Sequence, residues 1–395
     1  MKVVIAIDSL KGCLSSAEAG RAASEGVRRR WRDAEVVCLP VSDGGEGWLE
    51  AIGGTNSRAA LPVLEGSSVS SRKARERAEI TITVHDPLLR PVEACYLMMG
   101  ETAVIEVAQA CGLNLLRPEE RNPLVASSSG VGELLLDAVH RGARRFFIGL
   151  GGSAVSDAGR GMVEVFLDGP SGRAERRVKG LGLLEKTNRP TVECLAEPRS
   201  PAKVRGEGLS FTIATDVTNP LYGANGAAAV FGAQKGATAA MVKLLDERAR
   251  AFAEENARVM GFDCSEKPGA GAAGGLGYAF MQFFGAECRS GGELLMELLR
   301  FDDIIRGADL IITGEGRADS QTLMGKMPSI VLRHALQAHI PCHLIAGAVA
   351  NEDALLSAGF AGIHCINAPS LPLDEALVPE VARENIIATV AEMRV

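Results

Sequence analysis

Residues 3–7 form an unbroken apolar run rich in β-branched side chains. That pattern suits a strand buried on both faces of a parallel sheet. The run stops at Asp8 and Ser9. Ser15 and Glu18 then make a capping box for a helix running to about Arg30. A second apolar run, 36–41, ends at Asp43, Gly44 and Gly45, and the whole stretch reads as a βαβ unit. The far end of the chain repeats the rhythm. A strand over 309–313 ends in Gly314-Glu315-Gly316, and a helix follows at about 321–338. Then come a strand at 342–346 ending in Gly347, a helix at 351–358, a short strand at 361–366 and a last helix from about Asp374. The two ends are expected to build one helix-covered parallel sheet, residues 1–75 plus 290–395. A second α/β domain, 76–289, is expected to be inserted between them.

The middle opens with a different period. After a Ser-rich, charged stretch (67–77), runs 78–84 and 92–99 alternate apolar and polar positions, as antiparallel strands with one solvated face do. A third strand is expected at 103–107. The pattern then returns to a helix at 131–141 and parallel strands at 146–150 and 211–215. Residues 171–209 are polar, basic and without clean periodicity, and read as an excursion or lid.

Composition narrows the function. The 395 residues are 47% hydrophobic and 23% charged, a globular balance, with a formal net charge of -7. An acidic balance argues against a nucleic-acid backbone as partner. The nine cysteines are scattered and never spaced C-x-x-C, which fits reduced thiols packed as small apolar groups. The N-terminal apolar run is too short for a signal segment, and no stretch approaches the ~20 apolar residues of a membrane span. A cytoplasmic protein with no membrane partner is the expectation, and a homo-oligomer is left open.

Polar residues gather where the strands end: Asp8, Ser9 and Lys11; Asp43 and Glu46; Asp157; Asp216 and Asn219; Glu315, Arg317 and Asp319. In open α/β sheets, ligands bind outside the carboxyl ends of the strands. Gly149-Leu-Gly-Gly-Ser-Ala154 follows a strand, and its backbone N–H groups suit an anion such as phosphate. A second glycine run, 269–277, matches G-x-G-x-x-G, but no strand precedes it, so a dinucleotide fingerprint is rejected; the run is expected to hug a ligand or a neighbouring backbone. No Walker A or His-Arg-Asp kinase loop is present, and Pro341 breaks the spacing of His339 and His343 as a metal pair.

Eight stretches, in order, resemble the bacterial type I glycerate kinases: IDSLKGCLSSAEA (7–19), SDGGEGW (42–48), RNPLVASSSGVGELL (121–135), IGLGGSAVSDAGRGM (148–162), TDVTNPLYGANGAAAVFGAQKGA (215–237), GAGAAGGLG (269–277), ITGEGRADSQTLMGK (312–326) and IAGAV (345–349). Residues 163–210 depart from that family's pattern, and Val155 stands where the family carries a hydroxyl. The resemblance implies ATP, Mg²⁺ and D-glycerate, with 2-phosphoglycerate favoured as product over 3-phosphoglycerate. It also implies a flavodoxin-like parallel-sheet domain built from both chain ends.

Phosphoryl transfer asks for positioning, charge neutralisation and an oriented nucleophile. Gly151, Gly152 and Ser153 are candidates to cradle nucleotide phosphates, with Lys11 or Lys235 neutralising them. Asp157, Asp216 or Glu315 would hold Mg²⁺. Arg317 suits the glycerate carboxylate, with Ser9, Glu46 and Asp319 beside it, although Asp319 fits equally as a helix N-cap. Asp43 or Asp8 would accept the hydroxyl proton. Two other readings compete. A GHMP-type small-molecule kinase would need its glycine loop nearer the start. A non-catalytic sugar-acid-binding protein would need a regulatory output module, and none is visible.

Overall fold

A computed structural model describes residues 1–42, 44–45, 47–54, 77–168 and 208–394. The proposed lid at 171–209 therefore lies outside the described residues except at its last two positions. In chain order the strands are β1 (Lys2–Ile7), β2 (Glu35–Cys38), β3 (Arg77–His85), β4 (Pro91–Met99), β5 (Thr102–Glu106), β6 (Arg145–Gly149), β7 (Ser210–Ala214), β8 (Glu287–Arg289), β9 (Leu310–Ala318), β10 (Cys342–Val349) and β11 (Gly362–Cys365). The chain divides into two compact units, Met1–Ser70 with Arg289–Val395, and Ser71–Cys288.

The first unit holds a five-stranded sheet in the order β11-β10-β9-β1-β2, with every pair parallel. Counted within the unit this is 2-1-3-4-5, the flavodoxin-like order. The apolar run of β1 explains its central place, since Val3, Val4, Ile5, Ala6 and Ile7 are wholly buried. The helix Ser16–Arg30 begins as its sequence dictates. Ser15 accepts from the Glu18 backbone N–H, and the Glu18 carboxylate accepts from Ser15 N. Its buried face, through Ala19, Ala23 and Val27, packs on β1 and on the helix Pro379–Glu392.

The last strands run further than the glycines suggest. β9 passes through Gly314 and Gly316 to Ala318, because β10 continues alongside it and pairs Ala348 with Arg317 and Val349 with Ala318. A side chain at Gly314 would meet Ile345 O at 2.5 Å, so glycine here permits strand packing instead of ending the strand. The helix expected at 321–338 breaks in two. A short turn over Ser320–Leu323 is separated from the helix Met327–Gln337 by Gly325, whose φ is +91°.

Between β10 and β11, His343 and His364 stack with ring centroids 5.3 Å apart, and Nδ1 of His343 lies 3.0 Å from Nε2 of His364. Burial and then the second ring push the His343 pKa down to about 4. The folded chain then binds fewer protons than the unfolded chain below the ordinary histidine pKa. Stability is flat above pH ~6.5 and is lost as pH falls from there towards 4. Thermal melts at pH 7 and pH 5 are expected to separate more for the wild type than for His343→Gln. Equal separations would remove this pair as the source.

The second unit carries a six-stranded sheet, β3-β4-β5-β6-β7-β8. β3, β4 and β5 are antiparallel neighbours, and β5, β6 and β7 are parallel. The alternation of β3 shows in its burial, polar outward and Val84 inward. A phenylalanine cluster fills the core below β6 and β7, with Phe146 stacked on Phe211 at 4.7 Å and Phe284 edge-on to Phe166 at 5.2 Å.

Candidate active site

In the first unit the strand order reverses between β1 and β9, the position where open α/β sheets place their ligands. Asp8 and Ser9 leave β1 at this point, with the Asp8 N–H donating to Gly314 O at 2.9 Å and the Ser9 N–H to the Asp8 carboxylate at 2.7 Å. Ser16 ties the mouth together. Its hydroxyl donates to Ile7 O at 2.6 Å and accepts from Val41 N at 2.8 Å. Lys11 is exposed on the loop that follows, and its backbone N lies 3.8 Å from the Cβ position of Gly316. The structure thus gathers Asp8, Ser9, Lys11 and the end of β9. Asp43 and Glu46 lie outside the described residues.

Glu315 on β9 is buried and fully engaged, accepting from Thr322 Oγ1 at 2.6 Å and from Lys326 Nζ at 3.3 Å. As a direct Mg²⁺ ligand it would have to abandon Lys326, so the geometry makes it a brace that fixes the Ser320–Lys326 segment. Asp319 is the N-cap of the turn beginning at Ser320. It accepts from the Gln321 N–H at 2.9 Å, and this bond first, then the Arg317 side chain, holds its carboxyl below the usual range. Asp319 thus acts as a helix N-cap. Arg317 is exposed, touching Asp319 at 3.2 Å through Nε alone. Among the described residues its two terminal nitrogens make no hydrogen bond or ion pair, and they suit a bidentate carboxylate.

In the second unit the glycine loop leaves β6 but does not lead straight into a helix. Residues 150–159 form a long loop before the helix Arg160–Asp168. Gly152 adopts φ +73° and is exposed, and Ser153 is anchored beside Gly112 by an isolated bridge. Leu113 N donates to Gly152 O at 2.8 Å and Ala154 N to Cys111 O at 2.7 Å, so two bonds hold the loop from one side. Lys235 holds it from beneath. Only 3% exposed, it donates to Ser153 Oγ at 3.1 Å and Val155 O at 2.6 Å. Desolvation pushes its pKa down to about 8, against the opposing pull of Cys111 and Asp157.

Asp157 accepts four hydrogen bonds, three at Oδ2 from Ser128 N, Ser128 Oγ and Gly161 N, and one at Oδ1 from Gly159 N. It caps the helix start and pins the Ser127–Ser129 segment. Asp216, just past β7, is exposed. The second glycine run lies against neighbouring backbone. A side chain at Gly274 would lie 1.9 Å from Val155 O, and one at Gly271 would lie 2.3 Å from Pro220 O.

Sequence reasoning missed the orphaned polar atoms. The hydroxyls of Ser129 and Ser156 and the Nε of Arg121 are buried without a partner. Ser156 lies in the loop that Lys235 braces, between Val155 and Asp157. Unsatisfied buried donors call for an explanation, and a bound anion would supply their acceptors. Ser127–Ser129 and Lys326 lay inside recognisable motifs, yet nothing in the linear pattern marked them as partners of Asp157 and Glu315. Among the described residues no three His, Cys, Asp or Glu side chains gather as a metal-binding group, and no helix is long and apolar enough to cross a membrane.

A sequence model of the glycerate kinase family matches residues 3–394. The chain is 38% identical to the glycerate 2-kinase of Escherichia coli K12, over 99% of this chain and 98% of that one. It is 36% identical to the glycerate kinase of Bacillus subtilis 168, over 95% of this chain and 93% of that one. A crystal structure from Salmonella typhimurium LT2, described provisionally as glycerate kinase 2, superposes with a TM-score of 0.71 at 33% identity, covering 99% of this chain and 96% of that one.

Proposed function

This chain belongs to the glycerate kinase family, and from that premise we propose that it moves the γ-phosphoryl group of ATP to the 2-hydroxyl of D-glycerate, in the cytoplasm. The observation that carries this reading is the glycine loop at 151–159, braced by a buried lysine and containing an unpartnered serine hydroxyl. Such a loop presents fixed N–H dipoles to phosphate oxygens and needs no reorganisation as charge shifts in the transition state. The choice of the 2-hydroxyl is supported by the name of the Escherichia coli relative, a glycerate 2-kinase.

The roles divide as follows. Backbone N–H groups of Gly151, Gly152 and Ser153 take nucleotide phosphates, and the Ser156 hydroxyl adds a donor. Lys235 acts through the loop, lending positive charge while shaping it. In the first unit Arg317 takes the glycerate carboxylate, Lys11 and Ser9 stand beside it, and Asp8 or Asp43 receives the hydroxyl proton. Mg²⁺ prefers hard oxygens and keeps several waters, so one carboxylate plus phosphates suffices to hold it. Asp216 is the candidate whose exposure fits that task. The ion would neutralise charge on the phosphates.

A coupled assay of ADP formation tests the reading. Release of ADP is expected only when Mg-ATP and D-glycerate are both present. ADP release indifferent to glycerate would overturn it. Arg317→Ala is expected to raise the glycerate KM ~10–100-fold with kcat within a few-fold of wild type, since a charged hydrogen bond is worth roughly that ratio. An unchanged KM would exclude the carboxylate clamp.

A further inference from the structure

The arginines of residues 21–32 have no part in the roles described above. The structure arranges them around a groove of ≈ 850 Å³ in the first unit, lined by Arg21, Arg28, Arg29 and Arg32 with Glu25, Val36 and Cys38. Arg21 and Arg28 lie seven residues apart on the helix Ser16–Arg30, hence on one face, and Arg32 continues that line just past the helix end. The opposite wall is β2, the edge of the five-stranded sheet among the described residues.

Four guanidiniums against one carboxylate leave three positive charges in excess in this groove, on a chain whose net charge is -7. The carboxylate is already committed. Glu25 pairs with Arg29 at 2.7 Å and with Arg383 at 3.2 Å, and those bonds hold its carboxyl below the usual range. Arg21, Arg28 and Arg32 have no ion pair among the described residues, although Arg21 is near enough to help hold the Glu18 carboxyl below its usual range after the Ser15 hydrogen bonds. The negative end of the helix dipole accounts for basic residues in the last turn. It does not account for Arg21, near the helix start, or for Arg32, beyond the helix end. Like charges held around one concavity repel, and that repulsion is relieved when an anion enters.

We infer that this groove is a second anion site, separate from the glycine loop, that takes a small compound carrying two or more closely spaced phosphates. A guanidinium offers paired N–H donors that match phosphate oxygens, and three uncommitted forks on one wall exceed what a single carboxylate could satisfy. The half-buried Val36 and Cys38 give the floor an apolar strip against which a carbon frame can lie. The concave form and its volume fit a small molecule.

Calorimetric titration of the full chain and of Arg28→Ser/Arg32→Ser with sodium pyrophosphate, without Mg²⁺ and without ATP, tests this. Pyrophosphate is expected to bind the wild type and to bind at least ~tenfold more weakly in the double variant. The double variant is expected to keep wild-type kcat and melting temperature, since both side chains are exposed and remote in sequence from the glycine loop. No pyrophosphate binding to the wild type would overturn the inference. Equal affinity in the double variant would overturn it as well.

Discussion

Replacing Lys235 with methionine is expected to cut kcat/KM by ~10²–10³ while leaving the melting temperature at neutral pH within a few degrees of wild type. Two opposing terms produce the small stability change. The lysine is 3% exposed with its pKa lowered to about 8. A lysine that loses its proton more easily when folded costs stability wherever the unfolded chain keeps that proton. The cost is constant below pH ~8, about 3 kcal/mol, and vanishes as pH rises through the ordinary lysine value near 10.5. Methionine removes this cost and fills most of the volume. Against it stand Ser153 Oγ and Val155 O, which lose their donor at roughly 1–3 kcal/mol each. Activity has no such compensation, because the loop loses both its cation and the bonds that fix its shape. A variant that melts many degrees lower would mark Lys235 as chiefly structural. One that keeps full activity would remove the loop from the mechanism.

Gly274→Ala is expected to be the most damaging single-methyl change in the second unit. The new Cβ would fall 1.9 Å from Val155 O, 2.7 Å from Val155 C and 2.8 Å from Ser156 Cα, all backbone atoms that no rotamer change can move. Glycine is also needed for the φ of +67°. Ala158 N donates to Gly274 O at 3.0 Å, so the clash would break the tie that seats the loop. The expected result is ~3–5 kcal/mol of lost stability by thermal or denaturant unfolding, together with loss of turnover. Gly142→Ala is the control. Its φ is +99° with no atom within 4 Å of the Cβ position, so it carries the conformational cost without the clash and is expected to cost about 1–2 kcal/mol. Equal costs for the two would refute the clash.

These two residues mark where the sequence was readable and where it was not. Local signals carried through: the Ser15–Glu18 capping box begins its helix as written, and the β-branched run of β1 sits buried at the centre of its sheet. Asp8, Ser9, Lys11 and β9 lie near one another at the reversal of strand order. What one dimension hid were partnerships across long separations. Lys235 reaches Ser153 over 82 positions, and Ser128 reaches Asp157 over 29. The sequence could not show that Asp157 and Glu315 are held by Ser128 and Thr322, because a carboxylate after a glycine turn looks the same whether it faces solvent or a hydroxyl. Gly314 and Gly316 were read as a strand end because glycine permits both a turn and the close approach of a neighbouring strand, here β10.

The most direct test of the central claim is phosphorus NMR of the purified chain mixed with Mg-ATP and D-glycerate. Loss of the γ-phosphate resonance is expected to be matched by growth of a 2-phosphoglycerate phosphomonoester signal, at a turnover near ~1–100 s⁻¹. A signal only of inorganic phosphate, or no change in the presence of folded, nucleotide-binding protein, would contradict the account.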